Sequence, residues 1–232
     1  MSFFNPVKEE SKNTAILFFS RSARSESESK AWIPGQDKHT NENLAKALIS
    51  NTKKALFSSG FPVYHINEHK QVGNTFGEKL ANAFEDLFDL GYQSVISVGN
   101  DCIHLMDVDW HEISDSFQAN KNVLGPDFRN GAYLIGLRKE DFHKNTFAHL
   151  SWQADDLFDD LTNYLTNVTI LAPLRDFNDS RDLYLLKKES TWLKRLLRQL
   201  ITFDFSTDFG HSGDWGNDPN NSYGRRGPPS IF

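Results

Sequence analysis

The sequence predicts an α/β fold in which a largely parallel sheet is covered by helices on both faces. Three observations predict it. Short, uninterrupted apolar runs recur along the chain, as strands buried on both faces require. Segments with apolar residues at three- and four-residue steps lie between them, which is the amphipathic helix period. Glycines stand where those helical segments stop. Strand and helix in alternation imply crossover connections and hence parallel strands.

Taken in order, "TAILFF" (Thr14 to Phe19) reads as a buried strand. "SRSARSESESK", which follows, is charged, Ser-rich and aperiodic, and is expected to be a surface loop. From Asn41 to Ser59, Leu44, Leu48, Thr52, Ala55 and Leu56 line one helical face, and Gly60 closes it. "FPVYHI" is the second strand. Asn74 to Leu90 carries the strongest stripe, Phe76, Leu80, Ala83, Phe84, Leu87 and Phe88, with Gly91 as the stop. "SVISVG" is the third strand. Asp109 opens a helix, with Glu112 in a capping-box position and Ile113 and Phe117 facing inward. "NVLGPD" and "AYLIGL" are short strands, with a turn at Gly125-Pro126 and a tight-turn pair at Asn130-Gly131. Leu157, Leu161, Tyr164 and Leu165 mark a helix, and "VTILAPL" a strand. Asp182 to Phe203 reads as one cationic amphipathic helix packed on the sheet with its basic face in solvent. One domain over residues 1–203 is expected, followed by a Gly/Asn/Pro-rich tail over 204–232.

Composition narrows the function classes. The 232 residues suffice for a substantial core, and nineteen Phe against two Met point to one filled by aromatic rings. A formal charge of −6 argues against a polyanion binder, so no nucleic-acid polymer is expected as partner. The single Cys102 forms no internal disulfide. With no apolar stretch of spanning length and no signal-peptide pattern, a cytoplasmic protein without a membrane span is expected. The eight His form no HExxH motif or Cys/His cluster, and His65 and His69 lie where strand passes into loop, which disfavours zinc. The nucleophile-elbow, P-loop and dinucleotide-turn patterns are all missing.

Three segments could carry chemistry. In "VGNDC" a buried strand releases Asp101 at its carboxyl end, where open α/β sheets bind ligands. The carboxylate there suits Mg²⁺ or Mn²⁺ bridging a diphosphate, or it simply caps a turn. "VLGPDFRNGAYLIGL" is a hairpin in its own right. "APLRDFNDSRDL" gathers Asp176, Asp179 and Asp182 where a strand gives way to a helix. There they complement the helix dipole or supply a second metal ligand.

In this order, these segments resemble a bacterial family of unknown function grouped with nucleotide-diphospho-sugar transferases of the glycosyltransferase-A type. The family pattern runs G-x-x-G-x-R-x-x-x-A-F, then G-S-D-C-P, then G-P-x-x-D-G-G-Y-Y-L-I-G-L, then D-V-D-T-x-x-D-L. The resemblance spans about Thr14 to Leu183 and is most specific from Gly73 to Leu137. It implies a three-layer α/β/α Rossmann-like domain, similar to the molybdenum-cofactor guanylyltransferases. Gly99, Asp101 and Cys102 match the second motif, with Asn100 and Ile103 in place of Ser and Pro. Gly125, Pro126, Gly131 and Tyr133 to Gly136 match the third, but Arg129 stands at its acidic position and Asn130 at its first Gly. In the last, Asp176 and Asp182 match and Asn178 replaces the middle Asp. The family's nucleotide loop is echoed by Lys30, Pro34, Gly35 and Lys38 of "KAWIPGQDKHT", without its Arg.

The resemblance implies a metal-dependent glycosyl- or nucleotidyltransferase using a nucleotide-sugar or nucleoside triphosphate. Asp101 and Asp176 are its expected catalytic residues, and Asp101 and Asn178 the ligands of Mg²⁺ or Mn²⁺. Lys38, Gly99, Asn100, Arg129, Asn130 and Gly131 are its expected donor contacts. The alternative is a degenerate member that binds a nucleotide-sugar or a protein partner without turnover, because positions 129 and 178 change charge.

Overall fold

The computed structural model describes residues 13–152 and 154–200. The tail expected over 204–232 and the last residues of the expected final helix, 201–203, lie outside them. Strand β1 (Thr14–Phe19) is buried at every position, and its side chains alternate between two cores. Ala15, Leu17 and Phe19 enter one, Ile16 and Phe18 the other. This is the period-two consequence of covering both faces of a strand. β2 (Val63–Ile66) and β3 (Ser94–Val98) pair with it in parallel on either side. β4 (Asn122–Pro126), β5 (Ala132–Arg138) and β6 (Val168–Ile170) complete a six-stranded sheet in the order β2-β1-β3-β5-β4-β6. Only β5 runs against the rest.

Helices form the outer layers. α3 (Phe76–Asp89), α5 (Lys144–Ala148) and α6 (Leu157–Tyr164) cover one face with an aromatic cluster in which Phe84, Phe142, Phe147 and Trp152 meet edge to face or stacked. α2 (Lys38–Ser58) and α4 (Trp110–Gln118) cover the other through Ala55, Leu56 and Ile113. The helical stripes read from sequence are buried as expected, and Gly60 and Gly91 close α2 and α3 at φ of 79° and 101°. No helix among the described residues is long and apolar enough to cross a membrane.

Five expectations are corrected. The Ser-rich stretch after β1 is not a loop but a helix, α1 (Ala23–Ser29). Its inward face carries Glu26, followed by the buried Lys30, so hydrophobic periodicity had nothing to register. The long cationic helix is two, α7 (Ser180–Glu189) and α8 (Thr191–Leu200), parted by an extended Ser190. The Ser190 hydroxyl accepts from the Leu193 amide and so starts α8 afresh. These helices pack through Leu183, Leu186, Leu193 and Leu197 on Leu44 and Leu48 of α2, with Trp32 and Phe177, rather than directly on the sheet. Gly125-Pro126 is not a turn but the end of β4, where the register slips; the turn itself spans Asp127 to Gly131. The strand in "VTILAPL" stops at Ile170, and Leu171 to Phe177 continues as an irregular segment laid over the strand ends.

Gly125 is needed for space. A Cβ there would overlap the ring of Tyr133, which is buried and donates its hydroxyl to the Ala172 carbonyl at 3.1 Å. Gly125→Ala is therefore expected to lower the unfolding free energy by about 1–3 kcal/mol, the usual cost of overpacking, as measured by urea denaturation.

Candidate functional site

The carboxyl ends of β1, β3 and β4 open on one rim, and the chain after β6 is drawn across it. The Leu171 amide donates to the Leu124 carbonyl at 2.8 Å, and Leu174 to Pro126 at 3.1 Å. Farther on, Phe177 donates to the Asp101 carbonyl at 2.8 Å, and Cys102 bridges Asp176. Residues far apart in sequence are thereby brought together just beyond β3.

At the centre stands Lys30. Its ammonium lies 3.1 Å from Asp101 Oδ2, 3.1 Å from Asn178 Oδ1 and 3.6 Å from Glu26 Oε2. Lys30 is 5% exposed, and Asp101 and Glu26 are each 1%. Burial works against the charge on Lys30, but attraction to Asp101 and Glu26, with Asp176 adding, outweighs it, and the pKa of Lys30 is raised. Burial also pushes the Asp101 carboxyl up to about 6, with Lys30 opposing and the like charge of Glu26 assisting. One ammonium thus serves several carboxylates in a place water does not reach. Burial likewise holds Cys102 well above the usual thiol range, as an inert packed side chain. The Trp32 indole fixes the same segment by donating to the Phe177 carbonyl at 2.8 Å.

Beside this cluster a crevice of about 100 Å³ is lined by Asp127, Phe128, Arg129, Arg175, Asp176 and Asp182. Asp127 builds its wall: one carboxylate oxygen accepts from the Arg129 and Gly131 amides, both at 2.7 Å. Asp182 builds the other. Its Oδ2 accepts from the Asn178 and Asp179 amides at 2.9 and 3.1 Å, and its Oδ1 takes the guanidinium of Arg129. Phe128 stands 59% exposed, with the Arg175 guanidinium 4.9 Å from its ring centroid. A larger, shallow trough near α4, lined by Asp109, His111 and Glu112, contains none of the expected site residues.

Of the expected site residues, Asp101, Asp176 and Asn178 are gathered at the rim. Arg129 joins them through Asp182. Gly99 is buried at the strand end, and Asn100 is buried with both amide atoms unpartnered among the described residues. Asn130 sits at φ 61° and donates to the Asp155 carbonyl and the Asp159 carboxylate at 2.6 and 3.0 Å, which ties the turn to the start of α6. Gly131 is held by Asp127. Lys38 stands apart, exposed in the first turn of α2, with no ion pair among the described residues. Sequence reasoning did not select Glu26, Lys30, Asp127 or Arg175 as site residues. The Glu26–Lys30 spacing of four, with opposite charge, was the signal for the first two.

Mg²⁺ and Mn²⁺ take about six oxygens at about 2.1 Å. Here Asp101 Oδ2 and Asn178 Oδ1 both meet the Lys30 ammonium, and no group of three or more His, Cys, Asp or Glu among the described residues is arranged to hold a metal ion. The residues as folded fit an ammonium and do not fit a divalent ion.

The chain is a doubly wound α/β sandwich with a polar cluster at its carboxyl rim, a fold that it shares with a solved structure. The chain superposes on a crystal structure from Desulfovibrio desulfuricans G20, provisionally described as a nucleotide-diphospho-sugar transferase. The match has a TM-score of 0.65 and 20% identity, over 81% of this chain and 94% of that one. Residues 39–154 match the family DUF2064, an uncharacterised protein conserved in bacteria, and the chain belongs to that family. No curated protein matches the sequence. The family match contains Asp101 and Arg129, whereas Lys30, Asp176 and Asn178 lie outside it.

The burial of Asp101 has a pH signature. Its carboxyl titrates near 3.8 when unfolded and near 6 when folded, so between those values the native state holds a proton that the unfolded chain has lost. Stability from this group therefore falls as pH rises through that window. The unfolding free energy of the native protein, minus that of Asp101→Asn, is expected to decrease between about pH 4 and 7. Urea unfolding of both proteins across the range checks it, and a constant difference would show that Asp101 titrates normally.

Proposed function

We propose that the rim binds a nucleotide-activated donor and serves transfer of its sugar or nucleotidyl group. The observation that carries this reading is a crevice lined by Asp176 with Arg129 and Arg175, beside the buried Asp101 at the carboxyl end of an α/β sheet. Guanidinium groups suit a diphosphate, which they grip as planar forks. Asp176, which lines the crevice, is the group to orient an acceptor hydroxyl and take its proton as the bond to the donor forms. The electrostatic work on the departing phosphate falls to Arg129 and Arg175.

A second reading is a degenerate member that binds a nucleotide-sugar or a protein partner without turnover, and two observations weigh against an active donor site. Arg129 is already paired with Asp182, and about 100 Å³ is well below the 300–1,000 Å³ typical of small-molecule sites.

The two readings separate in a panel of nucleotide-sugars and nucleoside triphosphates. Each is titrated calorimetrically, in chelator and in Mn²⁺, with nucleotide or pyrophosphate release followed in parallel. A matched donor is expected to bind, and Arg129→Ala with Arg175→Ala to weaken it at least tenfold. Asp176→Asn is expected to retain binding and lose about 100-fold or more in release. A donor that binds but is never consumed establishes the second reading, and no binding across the panel removes both.

A further inference from the structure

We propose that the ammonium of Lys30 is this chain's resident cation, taking the place between Asp101 and Asn178 that a divalent ion would otherwise require. The ammonium donates hydrogen bonds to Asp101 Oδ2 and Asn178 Oδ1, each at 3.1 Å, and Glu26 Oε2 at 3.6 Å completes its surroundings as an ion-pair partner. Two hydrogen bonds and one ion pair thus hold it, at distances an ammonium accepts and a small divalent ion does not.

The lysine is delivered rather than free to wander. α1 ends on it, since the Lys30 amide caps the helix by donating to the Glu26 carbonyl at 2.8 Å. The other end of α1 is held by Glu68, which accepts from the amide of Ser22 at 2.7 Å and from its hydroxyl. Fixed at both ends, α1 presents the side chain to one place. Burial makes the charge costly, and only acceptors already in position offset that cost. For a divalent ion to enter, Lys30 must leave Asp101 and Asn178, which breaks a buried ion pair. Asn178 fits the same logic. An amide oxygen suffices for an ammonium that already has two carboxylates, and a third carboxylate would add repulsion.

This assignment deepens the donor reading but concerns only the cation, so it is tested without any donor. Mn²⁺ binding to the full chain is measured by electron paramagnetic resonance and calorimetry. The native protein is expected to show no saturable site tighter than about 1 mM, the weak end of natural carboxylate sites. Lys30→Gln, which empties the position, is expected to gain a single Mn²⁺ site at least tenfold tighter than that, and Asp101→Asn added to it to abolish the gain. A native site that binds Mn²⁺ tightly and disappears in Asp101→Asn overturns the assignment, as does a folded Lys30→Gln protein that gains nothing. Should Lys30→Gln not fold, the native protein decides alone. An unfolding temperature unmoved by millimolar Mn²⁺ supports a resident ammonium, and a rise that Asp101→Asn removes refutes it.

Discussion

Once the ammonium of Lys30 is taken out of water, it must be met by acceptors that hold still, and that requirement ties together parts of the chain 71 and 148 residues apart. Asp101 comes from the end of a central strand and is as rigid as the sheet. Asn178 comes from an irregular segment that has little reason of its own to lie where it does. The bond from the Phe177 amide to the Asp101 carbonyl, and that from the Trp32 indole to the Phe177 carbonyl, make the three segments mutually dependent. Buried ion pairs add little net stability compared with apolar packing, yet removing one partner is costly. The arrangement is therefore a constraint on geometry more than a source of stability.

The rest of the fold serves to keep that rim in place. Each strand of the β1–β3 pair contributes to both cores, so the strand ends cannot shift without disturbing two packed layers. The antiparallel β5, inserted between β3 and β4, separates the ends of those two strands by one strand width. The segment after β6 bridges the gap, pairing first with β4 and then with the chain beyond β3. The crevice lies where that bridge passes the turn from Asp127 to Gly131.

Much of this was legible in the sequence, and the exceptions share a cause. Buried strands announce themselves as unbroken apolar runs, and α2 and α3 as stripes closed by glycine, because their burial is hydrophobic. α1 escaped because its buried side is ionic: Glu26 and Lys30 look like solvent-facing residues until their partners are known. The break at Ser190 escaped because apolar spacing continues across it, and only a local hydroxyl-to-amide bond marks the new start. Pro126 was read as a turn, but it sits where β4 slips register beside β5, a position proline tolerates. At the rim, the gathering of Asp101, Asp176 and Asn178 was foreseeable from the resemblance. That one Asp101 oxygen, Oδ2, is met by a lysine was not, since the lysine lies in the stretch read as a loop.

The clasp between Glu68 and Ser22 bears on how this rim exchanges with solvent. At seven residues α1 is too short to persist as an isolated helix, so its order is borrowed from its two moorings. A borrowed helix does not pivot as a rigid flap.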